Sequence, residues 1–369
     1  MSGSGANSGA RTRHCDVLVA GGGPAGCVAA LSLARAGTRV VIVAPVASPG
    51  WRVGESLAPT ARPLLERLGV LDRITADGHA PCHGNVAAWG EDALSAAGHP
   101  FGPYGEGWHL DRARFDATLL RAARDAGASL HTGRVRGVQR EQGRWRIVTG
   151  DGSVLSAVHL VDATGRAARL VRRLGATPIR SDHLVAVAGL LGPPVTGTAE
   201  LERTSLVEST HWGWWYTAPL PGGEQMVMAV TDADLLAGSR LLEPEAWRAQ
   251  AQLTGHIRDR TARWEGPLQG LRVLAAGSTR AEPAAGPGWA AVGDAATATD
   301  PLAARGIVTA LATGLVAARA VLADRAGETG ALDDYARRIA AVHAEYLTVR
   351  AAQYRREQRW DTPFWRRRR

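Results

Sequence analysis

The sequence contains no lysine, because all 43 of its basic residues are arginine. A guanidinium group stays protonated, so it cannot replace an amine whose pKa is tuned by its surroundings. Any mechanism that requires a catalytic amine is therefore excluded. Cysteine is also scarce, and the three present (Cys15, Cys27 and Cys82) give no paired disulfide framework. We therefore expect a reducing, cytoplasmic environment.

Long apolar runs are lacking as well. No run approaches the length that crosses a bilayer, so we expect no membrane span. Residues 1–13 are rich in Ser and Gly without an apolar centre, which predicts a flexible tail and not a signal peptide. With 45% apolar and 21% charged residues, the 369-residue chain has the composition and length of one large or two interlocked globular domains.

Acidic residues are too few to balance the arginines, and the formal net charge is +8. The excess lies at the two ends of the chain. Residues 1–13 contribute two arginines and no acid, and residues 350–369 contribute eight arginines against two acids. Because residues 14–349 are formally neutral, nucleic acid is not expected as a partner. We expect a solvated basic tail at the C-terminus.

A glycine-rich turn follows the first apolar segment. Asp16–Ala20 is typical of a buried parallel strand, and it precedes GGGPAG, an Ala/Leu-rich helix and a second strand at Thr38–Val43. Gly21, Gly23 and Gly26 stand at GxGxxG spacing. The first permits a tight turn, the second lets a pyrophosphate approach the backbone, and the third lets the helix lie close to the strand. Between two strands, this spacing predicts a dinucleotide site at the helix N-terminus.

One element of such a site is missing. The second strand should end in an acid that holds the ribose hydroxyls, but Val43 is followed by Ala44. The ribose must therefore be held by other groups, or held less tightly.

A second motif lies at residues 288–306 (GWAAVGDAATATDPLAARG). An apolar strand ends before Asp294, and a loop through Asp300 and Pro301 leads to a helix that begins at Gly306. A carboxylate at position 294 can accept hydrogen bonds from ribityl hydroxyls. The helix N-terminus can face the pyrimidine edge of a flavin, where negative charge collects on reduction. Together with the first motif, this pattern favours a flavin over a nicotinamide cofactor.

Two further motifs are Arg52–Leu57 (RVGESL), after the second strand, and Asp162–Arg166 (DATGR), at the end of a later strand. The four motifs together resemble those of FAD-dependent monooxygenases of the para-hydroxybenzoate hydroxylase fold, and within it the flavin-dependent halogenase-like branch. The resemblance spans most of residues 15–320. It implies an α/β fold, with a Rossmann-like FAD-binding domain of the glutathione-reductase type interlocked with an antiparallel β-sheet substrate domain.

The resemblance also implies which residues hold FAD. Asp294 is expected to bind the ribityl chain, and Gly54, Glu55 and Ser56 to form a strap that links the flavin and substrate sites. The residues expected to contact the cofactor are Gly21, Gly23, Pro24, Ala25, Gly26, Arg52, Gly54, Glu55, Ser56, Arg112, Asp162, Gly165, Asp294, Pro301, Gly306 and Ile307.

The halogenase signatures are incomplete in this sequence. The family's WxWxIP reads WWYTAP at Trp214–Pro219, and its DPLES.GI reads DPLAARGI, with Ala303 and Ala304 in place of the Glu and Ser. The lysine with which a halogenase carries or orients hypohalous acid is absent. Hydroxylation is therefore favoured, in which reduced FAD and dioxygen would form a C4a-hydroperoxide that delivers an electrophilic oxygen to an electron-rich aromatic ring.

The aromatic segment HWGWWY is expected to form a wall of the substrate pocket. On a strand, Trp212, Trp214 and Tyr216 would share one face, Trp215 would lie on the other, and Pro219 would follow. An interpretation of equal weight is that these aromatic residues only fill the core.

The catalytic candidates are His211, His109 and Arg305. A histidine could act as a base towards a phenol or an indole, although each histidine taken alone is more often structural.

The C-terminal sequence YRREQRWDTPFWRRRR resembles the ending of flavoproteins that mature the tryptophan-derived quinone cofactors of amine and amino-acid oxidases. In that subgroup the flavoenzyme hydroxylates a Trp side chain of a partner protein. The resemblance therefore implies a Trp of an oxidase precursor as substrate. The halogenase-like resemblance implies a separate flavin reductase as electron source, and direct use of NAD(P)H stays open as the alternative. Trp360, Phe364 and Trp365 could anchor the tail to the body or to a partner.

Two other functions stay open. The enzyme could hydroxylate a small aromatic metabolite. Alternatively, the chain could be a flavin-binding maturation chaperone without catalysis, which Ala44 in place of the ribose-binding acid suggests.

The pattern of helices and strands predicts a discontinuous arrangement. We expect the FAD domain at 14–75, 108–180 and 270–325, the substrate domain at 76–107 and 181–269, and a C-terminal helix with a basic tail at 326–369. An antiparallel sheet is expected over roughly 180–280. Ser129–Arg136 is expected to be one strand of a meander.

Overall fold

The computed structural model describes residues 12–46, 50–98, 102–193, 203–262 and 268–369. Residues 1–11 of the predicted N-terminal tail lie outside the described part of the protein. Its strands are β1 Arg13–Ala20, β2 Val40–Ala44, β3 Ser56–Leu57, β4 Ala80–Cys82, β5 Gly84–Ala88, β6 Ser95–Gly98, β7 Gly107–His109, β8 Ser129–Thr132, β9 Val135–Glu141, β10 Arg144–Thr149, β11 Val154–Asp162, β12 Thr177–Arg180, β13 Leu184–Leu191, β14 Thr204–Thr210, β15 Gly213–Pro219, β16 Gln225–Asp232, β17 Leu268–Ala275, β18 Thr279–Glu282, β19 Ala285–Gly286, β20 Trp289–Ala291 and β21 Thr297–Ala298. Its α-helices are α1 Pro24–Arg35, α2 Arg62–Arg67, α3 Leu71–Ala76, α4 Arg112–Asp125, α5 Ala233–Leu236, α6 Pro244–Gln252, α7 His256–Thr261, α8 Gly306–Arg325, α9 Ala331–Arg355 and α10 Pro363–Arg366.

A parallel sheet with strand order β20-β11-β1-β2-β8 lies at the centre of the first domain. Val17, Leu18 and Val19 of β1 are completely buried, because helices cover the sheet. Helix α1 packs against β1 and β2 and contacts both α4 and α8. The carboxyl ends of the five strands therefore meet at one edge, where ligands of such sheets bind.

The second sheet has the strand order β17-β13-β16-β15-β14-β5-β6 among the described residues, and all its pairs are antiparallel except β14–β5. Side chains alternate between its faces. On one face, Trp215 and Val187 pack with residues of α6 and α7, such as Trp247. On the other face, Trp214 and Met228 belong to a cluster that includes the end of the chain. The predicted α/β fold with a second, largely antiparallel sheet and a C-terminal helix is confirmed.

The C-terminal segment folds onto this second face, so the predicted solvated tail is wrong. Phe364 and Trp365 are completely buried, and Arg368 is 9% exposed. The Arg368 guanidinium group lies 3.8 Å from the Phe364 ring centroid and donates to both oxygens of Asp232. Acids of the body thus neutralise tail arginines, and the tail aromatics anchor to the chain itself.

Helix α8 is the one helix of the described residues that is long and apolar enough, by length and composition alone, to cross a membrane, with a mean hydropathy of 1.8. Sequence inspection missed this run because much of its apolar character comes from alanine. The helix packs between α1 and α9 and contacts both.

Two local predictions were wrong. The segment 129–136 forms two strands, because β8 pairs with β2 in the parallel sheet whereas β9 pairs with β10. Residues 233–261, expected to belong to the antiparallel sheet, form helices α5, α6 and α7, which cover one face of that sheet.

Replacement of Trp365 by alanine should lower the free energy of unfolding by roughly 3–5 kcal/mol, because it empties a completely buried site. The change would also remove the hydrogen bond that Trp365 Nε1 donates to the carbonyl of Thr210. Urea denaturation followed by circular dichroism measures the effect. Arg366→Ala is the matched control: its side chain is 62% exposed, so the loss should stay below about 1 kcal/mol. Equal losses in the two variants would contradict the tail packing.

Candidate functional site: two joined cavities

Two cavities meet at the carboxyl edge of the parallel sheet. We call the one of about 280 Å³ beside the second sheet the inner cavity, and the one of about 560 Å³ beside β2 and β8 the outer cavity. These volumes lie in or near the range of roughly 300–1,000 Å³ for cofactor sites. The residues that line both cavities are Gly23, Pro24, Val53, Arg112, Ala163, Gly165, Leu274 and Asp294.

Each of the loops that build the site follows a parallel strand. Gly21–Ala25 follows β1, Ala163–Arg166 follows β11, and Val292–Asp294 follows β20. Pro45 follows β2, and Gly133 and Arg134 follow β8, on the outer cavity. Loops that are 100 or more residues apart in sequence come together because their strands are neighbours in one sheet.

The three motif glycines have different surroundings. A Cβ at Gly21, whose φ is +123°, would lie 2.1 Å from the carbonyl oxygen of Ala163. A Cβ at Gly26 would lie 2.1 Å from the carbonyl oxygen of Gly21. A Cβ at Gly23 would meet no atom within 4 Å, because it would project into the space of the cavities. The first two positions thus need glycine for packing, and the third leaves room for a ligand.

An arginine pair spans the junction of the cavities. Asp116, which is 8% exposed, accepts hydrogen bonds from Nη1 of Arg52 at 3.0 Å and from Nη2 of Arg112 at 3.2 Å. Arg112 Nη1 also donates to the carbonyl oxygens of Val53 and Gly54, at 2.6 and 3.1 Å. Arg112 therefore fixes the 53–56 strap over the junction.

The outer cavity is electropositive. Its lining includes five arginines, which are Arg52, Arg112, Arg134, Arg169 and Arg272, against two acids, which are Asp116 and Asp294. Such an excess favours an anionic ligand.

Asp294 and Arg166 face each other in the inner cavity, with Nε of Arg166 at 3.4 Å from Oδ2 of Asp294. Burial raises the pKa of the Asp294 carboxyl, and the guanidinium groups of Arg166 and Arg112 lower it in part. Arg166 is held by the carbonyl oxygens of Gly277 and Thr299, which its Nη1 and Nη2 contact. The Asp294 carboxyl thus offers hydrogen-bond acceptors to the inner cavity.

Three oxygen-bearing side chains meet at the far wall of the inner cavity. The Oγ of Ser56 and the hydroxyl of Tyr216 are 3.0 Å apart, and the charge of the Glu55 carboxylate also acts on the Tyr216 hydroxyl. Glu55 is 2% exposed and accepts a hydrogen bond from the backbone N–H of Gly54 at 2.9 Å. Burial, and then the charge of Glu55, raise the pKa of Tyr216 well above its usual value.

Most of the residues predicted from the sequence line these cavities. The inner cavity contains the N-terminus of α8, with Arg305 beside it. Lining one or both cavities are Gly21, Gly23, Pro24, Ala25, Arg52, Gly54, Glu55, Ser56, Arg112, Gly165, Tyr216, Asp294, Pro301, Arg305, Gly306 and Ile307.

Asp162 and Gly26, predicted as cofactor contacts, line neither cavity. Asp162 is completely buried, and its carboxylate accepts from the backbone N–H groups of Thr164, Leu170 and Val171 at 2.9–3.0 Å. It therefore shapes the loop that carries Gly165 instead of reaching a ligand. Gly26 acts through its close approach to Gly21.

The two predicted catalytic histidines also lie outside the cavities. His109 is completely buried on β7, where it pairs through the backbone with Ser56 and Ala80. His211 is exposed in the turn before β15, with its ring 6.3 Å from that of Trp360. Neither lines the inner cavity, so the fold does not bring these two candidate bases to it.

Of the predicted substrate wall, only Tyr216 lines the inner cavity. Trp214 shares its face of the sheet, but the C-terminal segment covers it, and its Nε1 donates to the hydroxyl of Tyr354 at 3.1 Å. Trp212 precedes β15, so strand alternation does not apply to it, and it packs on Trp215 of the opposite face at a centroid distance of 5.8 Å. Pro219 pairs with Gln225 at the far end of β15.

Sequence reasoning missed several lining residues. Met228 is the cross-strand neighbour of Tyr216, and Ala186 and Ala276 complete the apolar wall. Only the pairing of β17, β13, β16 and β15 reveals them, because nothing local distinguishes these side chains from core residues. Asp116 could have been found as the residue four positions after Arg112 on a helix.

Comparison with known proteins agrees with this geometry. The chain matches the Tryptophan halogenase family over residues 104–369 and the FAD dependent oxidoreductase family over residues 16–177. LodB of Marinomonas mediterranea, assigned as an FAD-dependent oxidoreductase, is 30% identical over 363 residues, which are 96% of each chain. Tryptophan 2-halogenase of Chondromyces crocatus is 27% identical, over 95% of this chain and 69% of its own.

Two solved structures are similar over nearly the whole chain. The myxobacterial chondrochloren halogenase CndH has a TM-score of 0.85 and 26% identity, covering 96% of this chain and 86% of its own. The peptidyl tryptophan dihydroxylase QhpG, essential for tryptophylquinone cofactor biogenesis, has a TM-score of 0.78 and 27% identity, covering 96% and 78%. The superfamily predicted from the four motifs is confirmed, and so is FAD as the cofactor. The chain is an FAD-dependent enzyme that belongs to the tryptophan halogenase family.

Proposed function

We propose that this enzyme is a monooxygenase that hydroxylates an electron-rich aromatic ring, and that the ring is a Trp side chain of a partner protein. The observation that carries the proposal is the chemistry of the inner cavity, which offers the polar side chains of Glu55, Ser56 and Tyr216 but no amine.

The cavities fit FAD. The open space at Gly23, the N-terminus of α1 and the five arginines of the outer cavity suit a pyrophosphate. Asp294 suits the ribityl hydroxyls, since its carboxylate accepts hydrogen bonds. The N-terminus of α8, at Gly306 and Ile307, suits the pyrimidine edge of a flavin. Position 44, where an acid was expected, is 6% exposed and lines neither cavity, so the ribose depends on other groups there.

When reduced, FAD supplies dioxygen activation: one oxygen atom enters the substrate and the other leaves as water. The residues of the chain then have two tasks. The apolar walls formed by Ala186, Met228 and Ala276 exclude water and leave space for a flat ring. The second task is to remove the proton that the hydroxylated ring carbon must lose.

We assign that task to Glu55 through Tyr216. Tyr216 and Glu55 line the same cavity and interact electrostatically, so the Tyr216 hydroxyl could take a proton from the substrate while it passes its own to the carboxylate. Ser56 orients the same hydroxyl from the other side at 3.0 Å. This relay replaces the histidine bases that the sequence suggested.

Halogenation is the competing reaction in this family. It needs an amine that carries or orients hypohalous acid, and no lysine exists anywhere in the chain. Ala303 and Ala304 stand where the halogenase Glu and Ser would be. The 27% identity to QhpG over 96% of this chain supports a peptidyl Trp as the substrate.

The reaction is tested with the precursor of an amine or amino-acid oxidase that carries a tryptophan-derived quinone, expressed with and without this chain and a flavin reductase. Whole-protein mass spectrometry should show that the oxidase precursor gains the mass of one or two oxygen atoms only when this chain is present. Peptide fragmentation should place the gain on a Trp. A mass gain that corresponds to chlorine or bromine in halide-containing medium would establish halogenation instead. Oxygen gain by free indoles or phenols, with none by the precursor, would disprove a protein substrate.

Glu55→Gln should lower the yield of oxygenated product about 100-fold or more, because a glutamine cannot accept the proton. The amide oxygen can still accept from the Gly54 N–H, so the strap and the bound flavin should be retained. Flavin absorbance of the purified variant checks retention, and the mass-spectrometric yield checks catalysis. Glu357→Gln, a substitution of another buried carboxylate outside the cavities, is the control. Undiminished product in Glu55→Gln would exclude the relay.

Gly23→Ala should weaken FAD binding about tenfold or more, about 1.4 kcal/mol, since the added methyl group fills the ligand space. Gly238→Ala is matched to it, because a Cβ there also meets no atom within 4 Å but lies away from both cavities. Titration of the apoprotein with FAD, followed by fluorescence, gives both dissociation constants. Equal affinities in the two variants would be inconsistent with a phosphate beside Gly23.

A further inference from the structure

We propose that Tyr354, on the C-terminal helix, is a positioning residue for the flavin site, and that through it the end of the chain sets the shape of the inner cavity. The proposal depends on the FAD site and not on which reaction the enzyme catalyses.

The element that Tyr354 holds is the turn at residues 300–304. Asp300, Pro301 and Ala304 line the inner cavity, and α8 begins two residues after the turn. Ala304 adopts left-handed backbone angles, with φ +48° and ψ +28°, which an alanine rarely takes without support. Contacts from outside the turn must therefore stabilise this conformation.

Those contacts converge on Asp300, which is 1% exposed. Its Oδ1 accepts from the backbone N–H of Leu302 at 2.9 Å and closes the turn. Its Oδ2 accepts from the hydroxyl of Tyr354 at 2.7 Å and from Nε of Arg350 at 3.2 Å. Its backbone N–H donates to the hydroxyl of Tyr346 at 2.8 Å.

The three partners of Asp300 that lie outside the turn stand on one stripe of helix α9. Tyr346, Arg350 and Tyr354 are four residues apart, so they lie on the same face. Arg350 also bonds Asp182 at 2.9 Å. A single helix face thus satisfies a buried carboxylate whose desolvation would otherwise be costly.

Tyr354 in turn depends on the last residues of the chain. It is completely buried, and its hydroxyl accepts a hydrogen bond from Nε1 of Trp214. Its ring lies 5.9 Å from that of Trp365 and 6.3 Å from that of Phe364. The arginine-rich C-terminal segment is therefore connected to the inner cavity through the hydroxyl of Tyr354. Trp214 contributes to the site indirectly, because its N–H orients that hydroxyl.

The test uses the full-length, FAD-loaded enzyme with Tyr354→Phe, which keeps the ring and removes only the hydroxyl. We expect a shift of the visible flavin absorption bands, a changed flavin midpoint potential and FAD binding weakened about tenfold. The control is Tyr335→Phe, on the same helix, which removes a buried hydroxyl that donates to the Ala291 carbonyl and leaves every contact of Asp300 intact.

A purely structural role would lower the melting temperature in both variants and leave the flavin spectrum and potential unchanged in both. That result would overturn the proposal. If Tyr354→Phe does not fold, Trp214→Phe tests the same link, because it removes the N–H that holds the hydroxyl. A shift of the flavin absorption bands in Trp214→Phe supports the proposal, and a wild-type spectrum disproves it. These measurements need no substrate, so they test this proposal even if the proposed hydroxylation is disproved.

Discussion

The contact between the turn at Gly21 and the backbone at Ala163 is the constraint on which the site depends. The two turns close two neighbouring parallel strands, and they approach so closely that a single Cβ at Gly21 would lie 2.1 Å from the Ala163 carbonyl oxygen. This approach places the N-terminus of α1 beside Gly165 and Arg166. The strap at residues 53–56, the Asp294 loop and the second sheet are arranged around this junction.

The polar groups of the inner cavity determine which chemistry the proposed function can use. Its polar wall carries Glu55, Ser56 and Tyr216, which can accept and pass a proton, but it offers no amine. Burial raises the pKa of the Tyr216 phenol, so the hydroxyl is protonated at neutral pH. In the proposed relay it passes this proton to Glu55 and accepts one from the substrate. The same fold can thus support a different reaction by exchange of a few cavity residues.

Several arginines of the chain stabilise the fold through ion pairs with buried acids, which the number of arginines alone does not reveal. Arg52 and Arg112 share Asp116 at the cavity junction, Arg350 shares Asp300 and Asp182, and Arg368 binds Asp232 with both ends of its fork. Planar guanidinium groups suit such paired contacts. The excess charge at the end of the sequence is consequently spread over acids of the body.

The sequence by itself determined the cofactor class, the four motifs whose residues line the cavities and the exclusion of amine chemistry, because each rests on residue identity and local spacing. A GxGxxG between two strands needs no distant information, and neither does the absence of lysine. The tertiary structure alone decided which aromatic residue reaches the cavity. Trp214 and Tyr216 follow the same strand alternation, yet the C-terminal segment covers one and leaves the other at the cavity, because Phe364 and Trp365 pack beside Trp214. The contacts of Asp116 with Arg52 and of Tyr354 with Asp300 likewise join residues that are 64 and 54 positions apart, which no local pattern encodes.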